Sequence, residues 1–193
     1  KIGVKYPYEQ YAQTVITDFM WGGMENISAT TLTERTLHDR IAHMDVKSDN
    51  LVAHELAHQW WGDLLTCKDW SHIWLNEGFA TYFEEMYNQY DKGEDEFQLE
   101  MQGDKEAYLN EDKKEYRRPI VYNRYTAPMD MFDRTTYQKG SWVLHMLRSF
   151  LGDELFWKGI NHYCTKYKEK CVDTHNFQEA MEEATGQNLE WFF

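Results

Sequence analysis

Residues 6–39 are rich in Thr, Val, Ile and aromatic side chains interrupted by Gly22-Gly23, a pattern that predicts strands and turns. From about Asp49 the period changes. Leu51, Leu56, Trp60, Leu64 and Leu65 recur at helical spacing and predict a central helix from an N-cap at Asp49 or Asn50 to about Leu65. A second helix is expected over 76–89, where Phe79, Ala80, Phe83, Met86 and Tyr87 form an apolar stripe with Gly93 just beyond its end. Residues 97–109 predict a weaker helix. Residues 110–134 carry Pro119 and Pro128, lack a period and read as a long surface segment of the kind that borders sites. Thr135, three residues before Gln138, makes a capping-box pattern that opens a helix carrying Trp142, Leu144, Leu147 and Leu151 and ending at Gly152. Helices over about 154–167 and 174–184 follow, the last closed by Gly186. Strands first and helices afterwards imply an α+β fold, with strands and two helices over 1–92 and a helical lobe over 93–193.

The 193 residues suffice for one sizeable core. Lys and Arg number 20 against 33 Asp and Glu, and the net charge of −13 argues against nucleic acid or an anionic membrane as partner while favouring a cationic substrate group. No apolar run is long enough to span a membrane and the first residues lack a leader pattern, so neither a membrane segment nor a signal peptide is expected. Cys67, Cys164 and Cys171 are too few for a disulfide scaffold and read as reduced thiols, Cys164 and Cys171 being the pair available under oxidation. Asn26-Ile27-Ser28 fits the glycosylation triplet, but a cytoplasmic location is the expectation. Trp60, Trp61, Trp74, Trp142, Met20, Met24, Met44 and Met86 are expected in the core, with pocket lining as the alternative for Met24, and the mixed charges from Asp112 to Arg118 on a solvated face. The six other histidines lack ligand spacing and read as surface or packing residues.

The chemistry concentrates at His54-Glu55-Leu56-Ala57-His58. Two histidines four residues apart on a helix differ by about 40° around its axis and can share one metal ion. Glu55 lies about 100° round from His54, within reach of a water on that metal without being a ligand, where a general base belongs. Catalytic zinc needs a third protein ligand and an open fourth position, and Glu77 on the next helix is the candidate. Glu84, nearly two turns after Glu77, shares that face and can orient a histidine through its second ring nitrogen. Asn76 is expected to buttress or cap the second helix.

His54-Glu55-x-x-His58, eighteen residues, then Glu77 within Asn76-Glu77-Gly78-Phe79-Ala80 resembles the gluzincin metallopeptidases, and the strings 59–64 and 70–80 are similar to their aminopeptidase branch. Gly22-Gly23-Met24-Glu25-Asn26 resembles the exopeptidase motif of that branch, which most relatives write with Ala at its second position. The resemblance covers most of the chain and implies a thermolysin-like zinc metallopeptidase domain, with a small β-rich N-terminal lobe and a helical C-terminal lobe. It implies one zinc ion on His54, His58 and Glu77, Glu55 as base, and Tyr137 stabilising the tetrahedral intermediate. The motif at Gly22, Gly23, Met24, Glu25 and Asn26 would bind peptides with a free N-terminus: glycine lets a strand edge approach the peptide, Glu25 takes the ammonium, and Met24 lines the first side-chain pocket. The expected activity is zinc-dependent removal of N-terminal residues. The alternatives are a leukotriene-type epoxide hydrolase, which shares the Gly-Gly spelling, and a non-catalytic binding domain. The N-terminal β domain and C-terminal helical domain of such relatives are expected as flanking partners in a parent chain.

Overall fold

In a computed structural model describing residues 1–193, the Thr-rich beginning forms a three-stranded sheet of β1 (Ala12–Ile16), β2 (Gly23–Met24) and β3 (Ala29–Thr33) in the order β1-β3-β2. β1 runs parallel to β3 with Ala12 opposite Ala29, and β2 runs antiparallel to it with Gly23 opposite Leu32. Alternation buries Thr30 and Leu32 on one face of β3, and β2 is left as an edge strand.

The central helix α1 is shorter than its apolar spacing predicts, spanning Asp49–His58. Beyond it the chain doubles back: the Gly62 N–H bonds Leu65 O at 2.8 Å, the Leu65 N–H bonds Trp60 O at 3.0 Å, and Gly62 sits at φ 137°, outside the helical region. Leu64 and Leu65 are still buried, but Leu65 belongs to strand β4 (Leu65–Cys67), which pairs in parallel with the distant β5 (Lys170–Val172). Pairing across the chain, absent from any local window, decided that boundary.

Helix α2 (Trp74–Asp91) is buried around most of its circumference and forms the axis of the molecule, with α1, α3 (Glu94–Lys114) and α4 (Gly140–Leu151) packed against it. Helices α5 (Asp153–Lys166) and α6 (Thr174–Thr185) pair with each other and close the far side. Trp61, Phe79, Tyr163 and Phe177 pack together at the centre, with ring centroids 4.8 Å apart for the tilted pair Trp61 and Phe79 and 4.9 Å for the tilted pair Tyr163 and Phe177. The fold is α+β, as expected. No helix is long and apolar enough to cross a membrane.

Several local expectations are corrected. α3 takes in residues assigned to the irregular segment, ending at Lys114. Thr135 caps nothing: Thr135–Lys139 forms a π-helical turn, and Thr136 donates its hydroxyl to Met131 O. Arg118 is 5% exposed rather than solvated, and donates to both Asp133 oxygens at 2.6 and 2.8 Å and to the Thr136 hydroxyl. Charge sign alone does not reveal that a guanidinium has found a buried fork of acceptors. Met20 and Met44 are exposed while Met86 is core. All three cysteines are free. Of the two roles expected for Asn76, it takes the buttress and not the cap: its Oδ1 accepts the Cys67 N–H at 3.1 Å and ties α2 to β4.

Candidate active site

α1 and α2 cross so that His54, His58 and Glu77 converge. His54 Nε2 and His58 Nε2 are 3.2 Å apart, and Glu77 Oε2 lies 3.3 Å from the first and 3.2 Å from the second. Each imidazole is turned by its other nitrogen. The His58 Nδ1–H donates to Trp61 O at 2.9 Å, and the His54 Nδ1–H to Glu84 Oε2 at 3.1 Å. With Nδ1 the donor in each ring, both neutral imidazoles present Nε2 lone pairs to each other and to the Glu77 carboxylate. Three lone-pair donors aimed at one point call for a cation. Tetrahedral zinc, with bonds of about 2.0–2.1 Å, holds its ligand atoms about 3.3 Å apart, and the donor set fits it.

The electrostatics agree with that need. Burial opposes charge on His54, but hydrogen bonds to Glu77 and Glu84 outweigh it and lift its pKa to about 10. His58 is raised to about 9 against its burial, by the Glu77 charge and hydrogen bond. Burial likewise pushes Glu77 toward neutrality, yet the two imidazoles hold it well below the usual carboxylate range. A divalent ion supplies the same compensation without protons.

Glu55, one residue after His54, points into the same cavity, 5% exposed and with Oε2 lacking any partner. Burial raises it to about 7; His58 and His54 oppose the shift, and Glu25 and Glu77 add to it. Tyr137 stacks on His54 at 6.1 Å between ring centres, and burial followed by the Glu77 charge keeps its phenol protonated. It is presented by the π-turn, a distortion frequent at functional sites.

These groups line one cavity of about 960 Å³ that also takes in Gly22, Gly23, Met24 and Glu25 of the β2 edge. Glu25, Glu55 and His58 each bring a ligand atom within 4.8 Å of the others. No donor bonds the Glu25 carboxylate, whose nearest cationic candidate is His58 Nδ1 at 4.0 Å. Asn26 departs from expectation: it is exposed, its Nδ2 donates to Thr31 Oγ1 at 3.0 Å, and it lies outside the cavity.

Sequence reasoning missed Gln59, Asp63 and the apolar wall of Trp70, Pro128, Met129 and Phe132. Asp63 is raised to about 7, first by burial and then by the Glu25 charge. Nothing in the local pattern marks it, because its burial and the approach of Glu25 come from the fold and not from its neighbours Gln59 and His58. The irregular segment does border the site, as its length suggested.

The chain matches the Peptidase family M1 domain over residues 1–193. It is 34% identical to probable aminopeptidase 2 of Sulfurisphaera tokodaii, over 96% of this chain and 24% of that protein. It is 37% identical to endoplasmic reticulum aminopeptidase 2 of Bos taurus, over 85% of this chain and 18% of that protein. Its fold superposes on the M1 zinc metallopeptidase from Deinococcus radiodurans with a TM-score of 0.77 and 26% identity, covering 97% of this chain and 39% of that one. The chain spans about a quarter or less of the curated relatives it matches.

Proposed function

Since this chain belongs to peptidase family M1, we propose that it acts as the catalytic domain of a zinc-dependent aminopeptidase, removing single residues from peptides with a free α-amine. The observation that carries the reading is the unpaired Glu25 carboxylate facing Glu55 across the cavity beside three converging metal donors.

His54, His58 and Glu77 would hold the ion, and Glu84 and Trp61 O would keep the imidazoles turned toward it. When bound, zinc supplies Lewis acidity to water and to the scissile carbonyl. Glu55, with a pKa near 7 and a free oxygen, takes the proton from the attacking water and returns it to the departing amine. Tyr137 donates its phenolic hydrogen to the carbonyl oxygen as negative charge gathers there. Glu25 binds the substrate ammonium, and the free edge of β2 pairs with the extended peptide, so the first peptide bond reaches the reacting groups. A second nearby carboxylate, Asp63, favours that ammonium.

An acidic cavity also favours this substrate over a fatty-acid epoxide, whose carboxylate would meet Glu25 and Glu55. The test is one peptide in free and N-acetylated forms, incubated with the zinc-loaded chain and followed by mass. Stepwise shortening of the free form alone is expected; equal cleavage of both, or internal cuts, would overturn the reading.

A further inference from the structure

Gln59 follows His58 directly, is fully buried, and leads away from the metal cluster toward the loop after β2. Its carboxamide is saturated. Nε2 donates to the main-chain oxygen of Glu25 at 3.0 Å and to Asp63 Oδ2 at 2.8 Å. Oε1 accepts the Ser28 N–H at 2.8 Å and the Tyr6 hydroxyl at 3.3 Å. The orientation of the amide is therefore unambiguous, since the Ser28 N–H can only donate and the Glu25 carbonyl can only accept.

The Ser28 end of this loop has other support, Ser28 O accepting the Ala12 N–H and Asn26 O the Ala29 N–H, each at 2.9 Å, whereas the Glu25 end is reached by Gln59. β2 is two residues long, and the Glu25 carboxylate has no hydrogen-bond donor of its own. Its place depends on its backbone. Ser28, at the other end of the loop, adopts φ 59°, a left-handed conformation unusual for a residue with a side chain, and it is there that its N–H meets Gln59. Gln59 thus grips both ends of the Glu25-to-Ser28 loop from a point one peptide bond away from His58.

We propose that Gln59 is the positioning residue that sets the distance between the amine-anchoring carboxylate and the metal cluster, and so gives the site its selectivity for a free α-amine. The inference rests on the aminopeptidase reading above. Gln59 touches neither substrate nor metal. Its effect passes through the Glu25 backbone, and it belongs in substrate capture more than in turnover.

Two substitutions separate this role from simple support. Gln59→Glu keeps the length and the acceptor for Ser28 but turns an acceptor toward Glu25 O and Asp63. Gln59→Asn keeps the amide but withdraws it by one methylene, so that it cannot reach both ends of the loop, and serves if the buried glutamate prevents folding. Each zinc-loaded protein is assayed on free and N-acetylated forms of one peptide. Leucinamide and N-acetylleucinamide are titrated calorimetrically into the Glu55→Gln form of each protein, in which hydrolysis is suppressed, and zinc content is measured.

The expected result is a KM for the free peptide raised by about tenfold or more, with kcat changed far less and one zinc per chain retained. Leucinamide affinity should fall in parallel, and the preference over its acetylated form should shrink. A loss confined to kcat, a loss that tracks missing zinc, or an unchanged free-to-acetylated preference in both variants would overturn the proposal. If the wild-type chain itself binds the two amides equally, the aminopeptidase reading fails first, and the inference falls with it.

Discussion

Glu55 shows how much a single residue owes to its surroundings. Its place between two histidines is evident in the sequence, but its pKa of about 7 is set by burial, opposed by those histidines and reinforced by Glu25 and Glu77, and the burial and the two carboxylates are assembled only by the fold. Glu55→Gln preserves shape and leaves His54, His58 and Glu77 untouched while removing the group that accepts a proton. Turnover should drop by about 10²-fold to 10⁴-fold with zinc content unchanged, checked by steady-state kinetics beside metal analysis. Near-normal turnover would remove Glu55 from the role of base. Glu84 was legible through its spacing from Glu77, because both lie on α2 and helix geometry carries the argument. Gln59 was not, because its partners Glu25, Ser28 and Tyr6 lie more than thirty residues away.

At the scale of elements, the site depends on how closely α2 approaches the start of α4. A Cβ on Gly140 would lie 2.8 Å from the Gly78 Cα, so the two backbones touch where no side chain fits. Gly78 follows Glu77 directly, and Gly140 closes the π-turn that carries Tyr137. The contact therefore sets the spacing of the Glu77 carboxylate and the Tyr137 phenol. Gly140→Ala should destabilise the chain by about 1–3 kcal/mol in denaturant unfolding, as overpacking does, and lower kcat by moving Tyr137. Gly103→Ala is the control: it lies within α3, its added Cβ meets nothing within 4 Å, and helix propensity predicts unchanged or higher stability. If both variants behave alike, close approach is not what Gly140 provides. The Thr135-to-Gln138 pattern failed as a capping box for a related reason. The buried Arg118 and Asp133 engage Thr136 and draw the start of the element into a π-turn.

For the whole molecule, the surplus of acid groups extends inside. Glu85 is 4% exposed and raised to about 8 by burial, with Asn88 opposing and Glu84, Asp104 and Glu100 adding to the shift. Against its ordinary 4.5, the folded chain keeps this proton over a range in which the unfolded chain releases it. The sign follows: stability is complete below about pH 4.5 and is lost as pH rises toward 8. Asp104, raised to about 7 chiefly by burial, acts in the same direction. Thermal melts of wild type and Glu85→Gln between pH 5 and 8 should show the variant losing less stability across that interval; parallel curves would show that Glu85 carries no such penalty.

The sequence by itself determined the fold class, the helices with unbroken apolar stripes, and the choice of His54, Glu55, His58, Glu77 and Glu84 as the side chains to look for in one site. The elements rest on periodicity, and the site residues on spacing within a helix and on the family motif that joins the two helices, all of which are written in the order of residues. Tertiary structure alone decided where α1 ends, that Leu65 becomes a strand, that Arg118 is buried and Met20 is not, and that Asn26 stays outside the cavity. It also decided that Gln59 joins the metal helix to the Glu25 loop. Those outcomes depend on partners distant in the chain, and a pattern of neighbouring residues carries no record of which distant group will supply a hydrogen bond or exclude water.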